Sequence, residues 1–449
     1  MLTVIILVFV VGYLAIALEH QLHINKAASA LFIGAVCWAL YAVGFEQLVP
    51  AGQIPVWFAD EALREGIAAA EVPRSWLVEG QFLHLVAETA YILFFLMGAM
   101  TIVELVDAHE GFSIITSRIS SRRKVKLLWI IAWLSFFVSA VLDNLTTTIV
   151  MVSLLRKVVA DRNTRLLFVG VVVIAANAGG AWTVIGDVTT TMLWIKHKIS
   201  AVAVMRDLFL PSVVCLLIPL LALSRALKGE LEPQPAVVES TEGGGIQFWH
   251  RALFLSLGLA GLLSVPAFKA YTHLPPFVGM MLSLSVLWLV SELVSHTLDE
   301  ETRSTTGVLA ALKRVDMSTI LFFLGILLAV GSLSATGTLG NLANWLDTVV
   351  PNRDMVAVII GLVSAVVDNV PLVAAGIEMY TLPMDDRFWM LLAYCAGTGG
   401  SCLIIGSAAG VAAMGLERIN FIWYATRIAP LALLGYIAGV LVFLAQHSF

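Results

Sequence analysis

The stretch that decides the fold is Ser139-Ala-Val-Leu-Asp143-Asn144, which recurs 225 residues later as Ser364-Ala-Val-Val-Asp368-Asn369. A second block, Gly179-Gly180 followed by Ile185-Gly186, recurs as Gly399-Gly400 followed by Ile405-Gly406. Two blocks that recur in the same order indicate an internal repeat. The chain around them must therefore be built from two related halves.

The composition excludes an ordinary soluble protein. Of the 449 residues, 59% are hydrophobic and 13% are charged, and the mean hydropathy is +0.93. Soluble domains carry about 45–50% apolar and about 25% charged residues. Lipid must cover the apolar surface of such a chain. The net charge of −5 gives no reason to expect a nucleic-acid partner, and no phosphate loop, nucleophile triad or metal-cluster motif suggests an enzyme.

Apolar runs recur along the whole chain, and a helix needs about 20 such residues to cross a bilayer. Ten candidate spans follow: 1–18, 27–45, 82–107, 166–195, 207–225, 252–270, 275–297, 318–335, 388–415 and 420–445. The first run has no basic region before it, so we interpret it as a retained span rather than a signal peptide. The runs predict an all-α polytopic membrane protein with a single transporter domain over residues 1–449.

Two further apolar stretches, 127–155 and 355–380, are predicted to be re-entrant hairpins. The first has several Lys and Arg residues on both sides, and because such residues collect in cytoplasmic loops, both of its ends belong inside. The second has few basic residues at its ends, which is typical of the outer side. With an external N-terminus, this topology places 17 basic residues inside and eight outside. Hairpins that enter from opposite faces predict an inverted-topology repeat.

Polar segments separate the membrane parts of the chain. Residues 46–80 carry six acidic side chains and are predicted to form a loop with a short helix. Residues 226–250 contain two prolines and three consecutive glycines, which predicts a linker. That linker divides a first repeat core at 80–225 from a second at 275–449. Residues 298–316 form a second, charged linker.

Asp143 and Asp368 each lie near the middle of a predicted hairpin. An ionised carboxylate at the centre of a bilayer costs at least about 2.5–3.5 kcal/mol, so an acid there is a functional candidate. The alternative is an Asp that caps the second helix of the hairpin. The two interpretations are compatible, and the duplication of Asp-Asn favours a function.

The second motif block runs from Asn177 through Asp187 to Thr189 and beyond, inside the long run 166–195. Its three glycines and its hydroxyl side chains disfavour a continuous helix. A broken helix in a membrane exposes carbonyl groups and helix ends that coordinate cations. The counterpart, which includes Ser401 and Ser407, keeps the glycines and hydroxyls but has no acid. Small-residue helix packing is the alternative, although it does not explain the Asn or the Asp.

These motifs resemble a known family. Residues 139–148, Ser-Ala-Val-Leu-Asp-Asn-Leu-Thr-Thr-Thr, look like the first hairpin tip of NhaD-type sodium/proton antiporters, and residues 95–109 resemble another stretch typical of that family. The resemblance runs from about residue 80 to the C-terminus. It implies a homodimer, a scaffold domain, a mobile domain with both hairpins and both broken helices, and elevator-like alternating access. The wider superfamily also contains dicarboxylate, citrate and arsenite carriers.

The resemblance also implies an ion site shared between the two repeats. Its expected members are acids, amides and hydroxyls, with sodium held by the first four: Asp143, Asn144, Asp368, Asn369, Ser139, Thr147, Asn177, Asp187, Thr189, Ser364, Ser401 and Ser407. Carboxylate carriers of the superfamily typically have Ser-Asn-Thr where this chain has Asp-Asn. Two extra acids repel an anion and attract a hard cation, which prefers oxygen ligands.

Glu104, Asp107 and His109 end the span 82–107 on the predicted cytoplasmic side. The simple interpretation is a set of polar residues at the membrane interface. The sharper hypothesis is a group that responds to pH, because His titrates near neutrality.

The sequence thus predicts a secondary active antiporter that exchanges sodium, or lithium, for protons and needs no cofactor. We expect a multi-pass protein in a bacterial cytoplasmic membrane, in contact with lipid. Alternatives are an anion permease for dicarboxylate or arsenite, a channel and a non-transporting membrane subunit. An anion carrier should have neutral hairpin tips and a basic group at the site. A structural subunit has no reason to duplicate Asp-Asn.

Overall fold

The structure is a computed structural model that describes residues 1–49, 54–117, 121–227, 229–231, 246–296, 298–350 and 352–448. Helices make up the regular structure of these ranges, and the one β-feature within them is an isolated antiparallel bridge between Arg123 and Glu230. The predicted all-α class is confirmed. Most of the predicted linker 226–250, including its three glycines, lies outside the described residues.

The helices are numbered in chain order. The first twelve are α1 (Leu2–Ala17), α2 (Glu19–Leu22), α3 (Lys26–Leu48), α4 (Val56–Arg64), α5 (Val72–Ser75), α6 (Leu83–Ala108), α7 (Ser113–Thr116), α8 (Lys124–Leu142), α9 (Asn144–Val158), α10 (Arg162–Ala181), α11 (Val188–Ile195) and α12 (Ala201–Ala226). The next twelve are α13 (Phe248–Thr272), α14 (Pro276–Ser295), α15 (Glu300–Thr306), α16 (Val308–Arg314), α17 (Met317–Ala335), α18 (Thr338–Val349), α19 (Arg353–Val363), α20 (Asn369–Met379), α21 (Arg387–Gly399), α22 (Ala408–Glu417), α23 (Phe421–Arg427) and α24 (Ala429–Gln446). A π-helical segment, Trp76–Phe82, joins α5 to α6.

Nine helices in the described ranges are long and apolar enough to cross a membrane: α3, the continuous run Val72–Ala108, α8, α10, α12, α13, α14, α17 and α24. The predicted number was ten. Two of the predicted spans are missing from the nine, because α1 has only 16 residues and the run 388–415 is split into two short helices. Helix α8 is added because this arm of the first predicted hairpin has 19 residues. Helix length does not show whether a hairpin crosses the membrane or turns back inside it, so the re-entrant path of both hairpins stays a prediction.

Several predicted boundaries were wrong. The span 82–107 belongs to a helix that begins at Val72, since the π-helical segment continues the backbone path. The run 420–445 is interrupted at Ile428, because Pro430 favours the first turn of a new helix. The charged linker 298–316 folds into α15 and α16, whereas the predicted short helix within 46–80 is present as α4.

The breaks that the repeat predicted are present. Helices α8 and α9 meet at Asp143, and α10 and α11 are separated by residues 182–187. In the second half, α19 and α20 are separated by residues 364–368, and α21 and α22 by residues 400–407. Glycine, asparagine and aspartate at these positions favour turns and helix caps over helix interiors, which is why the sequence alone locates them.

The chain divides into two compact units. The first comprises residues 1–93, 316–352 and 371–382, and α3 packs closely on α17 inside it, with the Trp38 indole donating to the Leu328 carbonyl oxygen over 2.8 Å. The second comprises residues 94–315, 353–370 and 383–449. It contains both Asp-Asn pairs and both broken helices, so every residue of the predicted ion site belongs to this unit.

Helices α10 and α21 form the core of the second unit. Almost every residue of α10 from Phe168 to Ala181 is buried, and so is α21 from Phe388 to Gly399. A helix that is apolar on all sides lies in a core, and its small residues let neighbouring backbones approach. A Cβ atom at Gly179 would lie only 2.1 Å from the Phe136 carbonyl oxygen of α8. The equivalent atom at Gly399 would lie 2.0 Å from a carbonyl oxygen of α19.

Candidate functional site

Asp143 forms the junction between the two arms of the first hairpin. Its φ angle of 85° lies in a region that residues other than glycine rarely adopt. One carboxylate oxygen accepts from the Thr146 backbone N–H at 2.8 Å, and the other accepts from the Thr146 hydroxyl at 2.9 Å. Asp143 is therefore the N-cap of α9, as the alternative interpretation proposed. The carboxylate remains half-buried beside the residues described next.

Among the acids whose burial the structure describes, Asp187 is the most completely buried, with 2% of its surface exposed. Oδ1 accepts from the Thr189 backbone N–H at 2.9 Å and from the Thr189 hydroxyl at 3.0 Å. Oδ2 accepts from Asn144 Nδ2 at 3.0 Å. Asp187 thus caps α11 with one oxygen and joins the hairpin tip with the other. The sequence predicted it as a site member, although its repeat counterpart, Ser407, is neutral.

Asn177 connects the two repeats. It lies in the core helix α10 with no exposed surface, and its Oδ1 accepts from Asn144 Nδ2 at 2.9 Å. Its own Nδ2 donates to the hydroxyl oxygens of Ser401 at 2.8 Å and Ser407 at 2.9 Å. We name the set Asn144, Asn177, Asp187, Ser401 and Ser407 the polar cluster. All five residues were predicted site members, and the structure brings them together.

The two halves make unequal contributions to the polar cluster. The first supplies the amides and the acid, and the second supplies two hydroxyls. Gly397 takes the place equivalent to Asn177, and a Cβ atom there would lie 3.6 Å from Asp187 Oδ2. A side chain at that place would contact the Asp187 carboxylate. The two halves therefore carry different residues, Asn177 and Gly397, at equivalent positions.

Ser139 and Ser364 hold the helix breaks instead of joining the cluster. The Ser139 hydroxyl donates to the Ala176 carbonyl oxygen at 2.6 Å, and the Ser364 hydroxyl lies 3.3 Å from the equivalent oxygen of Ala396. Ser364 also donates to the Gly361 carbonyl oxygen at 2.7 Å. Equivalent contacts at equivalent positions are what an internal repeat requires.

Asp368 and Asn369 occupy the second tip. Asp368 Oδ1 accepts from the Val370 backbone N–H at 3.2 Å, and Asn369 is 6% exposed. Asp187 interacts electrostatically with both Asp143 and Asp368, so it lies within reach of both hairpin tips. Within the described ranges no group of three or more His, Cys, Asp or Glu residues is arranged as a resident metal site.

Two buried hydroxyls beside the tip have no hydrogen-bond partner among the described residues. They belong to Thr147, which the sequence predicted, and Thr148, which it missed. Both follow Asn144 by about one helical turn, and this spacing is the signal that would have revealed Thr148. Polar groups buried without a partner are uncommon and mark places where a polar ligand can be satisfied.

The predicted pH-responsive residues lie at the end of α6. Glu104 interacts electrostatically with Asp107, with Arg314 and also with Asp143. His109 is 1% exposed, stacks on Phe254 and donates from Nδ1 to a carbonyl oxygen of α6 at 2.9 Å. Burial lowers the pKa of His109 to about 4. Such a ring changes charge well below neutral pH, and the pH-responsive role of Glu104, Asp107 and His109 stays a prediction.

The site can now be compared with known proteins. A family profile described as citrate transporter (CitMHS) matches residues 4–382. Sodium/proton antiporter 1 of Arabidopsis thaliana is 46% identical over 98% of this chain and 72% of its own length. The Na(+)/H(+) antiporter NhaD of Vibrio cholerae serotype O1 is 31% identical over 98% of this chain and 90% of its own length. The chain belongs to the NhaD family.

Membership of the NhaD family confirms the resemblance seen in the hairpin motif. The relatives are named as transporters, so this protein is a membrane transporter and not an enzyme, in agreement with the prediction of a carrier without a cofactor. The crystal structure of the Alcanivorax borkumensis YdaH transporter, described as having an unusual topology, matches with a TM-score of 0.57 at 12% identity. It covers 95% of this chain and 99% of its own, and at that identity it supports the multi-pass helical fold alone.

Proposed function

We propose that this protein exchanges sodium, or lithium, for protons across a membrane, with Asp143, Asp187 and Asp368 as the coupling acids. The observation that carries the proposal is the buried Asp187 carboxylate, which accepts from Asn144. Asn144 also donates to Asn177, and Asn177 donates to the hydroxyls of Ser401 and Ser407 from the second half of the chain. The names of the relatives support the choice of ions. In this proposal Asp187 is the central acid of the site, and the acids of the two hairpin tips, Asp143 and Asp368, lie on either side of it.

The chemistry of the polar cluster suits a small hard cation. Sodium prefers oxygen ligands, and the carboxylate, amide and hydroxyl groups of the cluster supply them. The cluster's hydrogen-bond partners within the described ranges include no Lys, Arg or His. A buried acid without a basic partner favours neutralisation by a proton or a metal cation. Both ions therefore compete for the same carboxylates, which is the basis of exchange without ATP.

Alternating access is proposed to follow the elevator-like pattern that the family resemblance implies. The hairpin tips and both broken helices lie within the second unit, so one compact body carries the whole proposed site. We retain the repeat cores at 80–225 and 275–449 as inverted repeats, with 226–250 as their linker. A homodimer, surrounding lipid and a bacterial cytoplasmic membrane complete the proposal.

An anion carrier is the second candidate, because the citrate-transporter profile matches residues 4–382. A citrate site needs positively charged side chains or several free N–H donors to bind the carboxylates. The described polar cluster presents an acid instead, and its amide N–H groups already donate to Asp187, Asn177 and two serines. The structure therefore favours the cation exchanger.

The test uses purified protein in proteoliposomes, with sodium-dependent proton release measured over a range of pH. Asp187→Asn, Asp143→Asn and Asp368→Asn should each lower exchange at least tenfold. The matched control is Asp161→Asn, because exposed Asp161 caps α10 through Thr164 as Asp143 caps α9, and Asn caps about equally well. Near-normal exchange in all three site variants, or uptake of labelled citrate without proton release, would reject the proposal.

A further inference from the structure

A cluster of arginines surrounds an open pocket of about 500 Å³ in the second unit, where helices α9 and α22 end and α10 begins. Arg156 lies in the last turn of α9, Arg162 and Arg165 lie in the first turn of α10, and Arg418 follows α22. Glu417, the last residue of α22, lies between them. The pocket is thus built by the ends of three helices that also carry members of the polar cluster.

The single acid of the pocket is fully engaged by two of the four arginines. Glu417 is 5% exposed, and its carboxylate oxygens accept from Arg156 Nε at 2.7 Å and Arg165 Nε at 3.0 Å. These ion pairs join a buried carboxylate to two partly exposed arginines and link the ends of the three helices. They leave the pocket with three more positive than negative charges among its lining residues.

The other two arginines have no acidic partner among the described residues. Within these residues the Arg162 guanidinium donates to the carbonyl oxygens of Glu417 at 3.4 Å and Arg418 at 3.3 Å. The Arg418 guanidinium has no partner among the residues that the structure describes. Both side chains are exposed at the mouth of the pocket, where their N–H groups can bind an anion. A guanidinium group can donate two parallel hydrogen bonds to two oxygens of one phosphate, whereas a lysine ammonium group binds as a point charge.

We propose that this pocket binds the phosphate group of an anionic phospholipid. Helix α10 is long and apolar enough to cross a bilayer, and it begins at Arg162, so the pocket lies at the membrane surface. The surrounding basic residues belong to the side predicted as cytoplasmic, where anionic lipids attract clusters of Lys and Arg. Free inorganic phosphate has the same chemistry and is the competing source.

The proposal goes beyond ion exchange, because it gives the transporter a structural lipid ligand. A phosphate held by Arg162 and Arg418 would bridge α10 to α22, which supply Asn177 and the Ser407 cap at their far ends. The bound lipid would stabilise the packing of these two helices. Lipid binding can be measured without transport, so failure of one proposal leaves the other intact.

The experiment counts phosphatidylglycerol molecules retained by the detergent-purified full chain in native mass spectrometry, with phosphatidylcholine as the neutral comparison. The double variant Arg162→Gln, Arg418→Gln keeps both Glu417 ion pairs and should weaken phosphatidylglycerol binding at least tenfold. The double variant Arg162→Lys, Arg418→Lys keeps the charge and should bind with intermediate affinity. The matched control Arg122→Gln, Lys126→Gln removes two exposed positive charges outside the pocket and should bind as the unchanged protein does.

Thermal unfolding in detergent separates the two sources of phosphate. The melting temperature of the unchanged protein should rise with phosphatidylglycerol and stay constant with 10-fold more inorganic phosphate, while the Gln double variant should respond to neither. A pocket-dependent rise with inorganic phosphate alone would replace the lipid by a soluble anion. Equal phosphatidylglycerol binding by the unchanged protein and the Gln double variant would overturn the site.

Discussion

Replacing Gly179 with Ala is the sharpest test of how the first hairpin is held. The new Cβ atom would lie 2.1 Å from the Phe136 carbonyl oxygen, whereas carbon–oxygen contacts are ordinarily about 3.3 Å or longer. Helices α8 and α10 must therefore separate by about 1 Å. This oxygen belongs to the backbone, so no flexible side chain can move aside to relieve the contact.

The separation also affects the hydrogen bond that holds the hairpin tip. The Ser139 hydroxyl donates to the Ala176 carbonyl oxygen over 2.6 Å, and an added ångström brings this contact to the limit of a hydrogen bond. Overpacking costs about 1–3 kcal/mol, and a weakened hydrogen bond adds about 0.5–1 kcal/mol. The higher helix propensity of Ala offsets about 1 kcal/mol. We expect a net loss of about 0.5–3 kcal/mol in the free energy of unfolding.

The measurement is equilibrium unfolding in mixed detergent micelles, followed by sodium-dependent proton release in proteoliposomes. Gly399→Ala should behave in the same way, because its Cβ atom would lie 2.0 Å from the Gly361 carbonyl oxygen. Gly415→Ala is the matched control, since no atom lies within 4 Å of its new Cβ, and it should be neutral or slightly stabilising. If Gly179→Ala is as stable as the control, the close approach of α8 and α10 does not constrain the hairpin.

Three other predictions follow from the site and its surroundings. Asn177→Ala removes three buried hydrogen bonds and should lower the free energy of unfolding by about 2–3 kcal/mol while reducing exchange; a variant with normal exchange would exclude Asn177 from the site. For His109, the unfolded state binds more protons between pH about 4 and 6.5, so stability should fall by about 3 kcal/mol as the pH drops through that window. His109→Gln should lose this part of the acid sensitivity, and an unchanged profile would contradict the burial argument. Single cysteines in a cysteine-free chain should label from one side at positions 123 and 160 and from the other side at 354 and 384; labelling of 123 and 160 from opposite sides would end the hairpin topology.

Local chemistry explains why much of the fold was predictable. The helix breaks at Asp143 and at residues 182–187 were found from glycine, aspartate and hydroxyl residues, whose preference for caps and turns depends mainly on the nearest neighbours. The repeat was visible because duplicated letters mark duplicated local structure. The interruption at Ile428 was missed. The run 420–445 is apolar on both sides of it, and only Pro430 indicates that a new helix begins there.

The residues of the polar cluster could be predicted, but their arrangement could not. Residue types and the family motif predicted all five members of the polar cluster, since acids and amides in an apolar run stand out in any sequence. The sequence could not show that Asn177 donates to two serines more than 220 residues away, or that Asp187 is enclosed more fully than Asp143. Those facts depend on how α10 packs against the break at residues 400–407 and against the first hairpin, which is decided by non-local contacts. The sequence by itself determined the membrane class, the breaks and the candidate residues, and tertiary packing decided which acid is buried, because burial depends on neighbours that are distant in the chain.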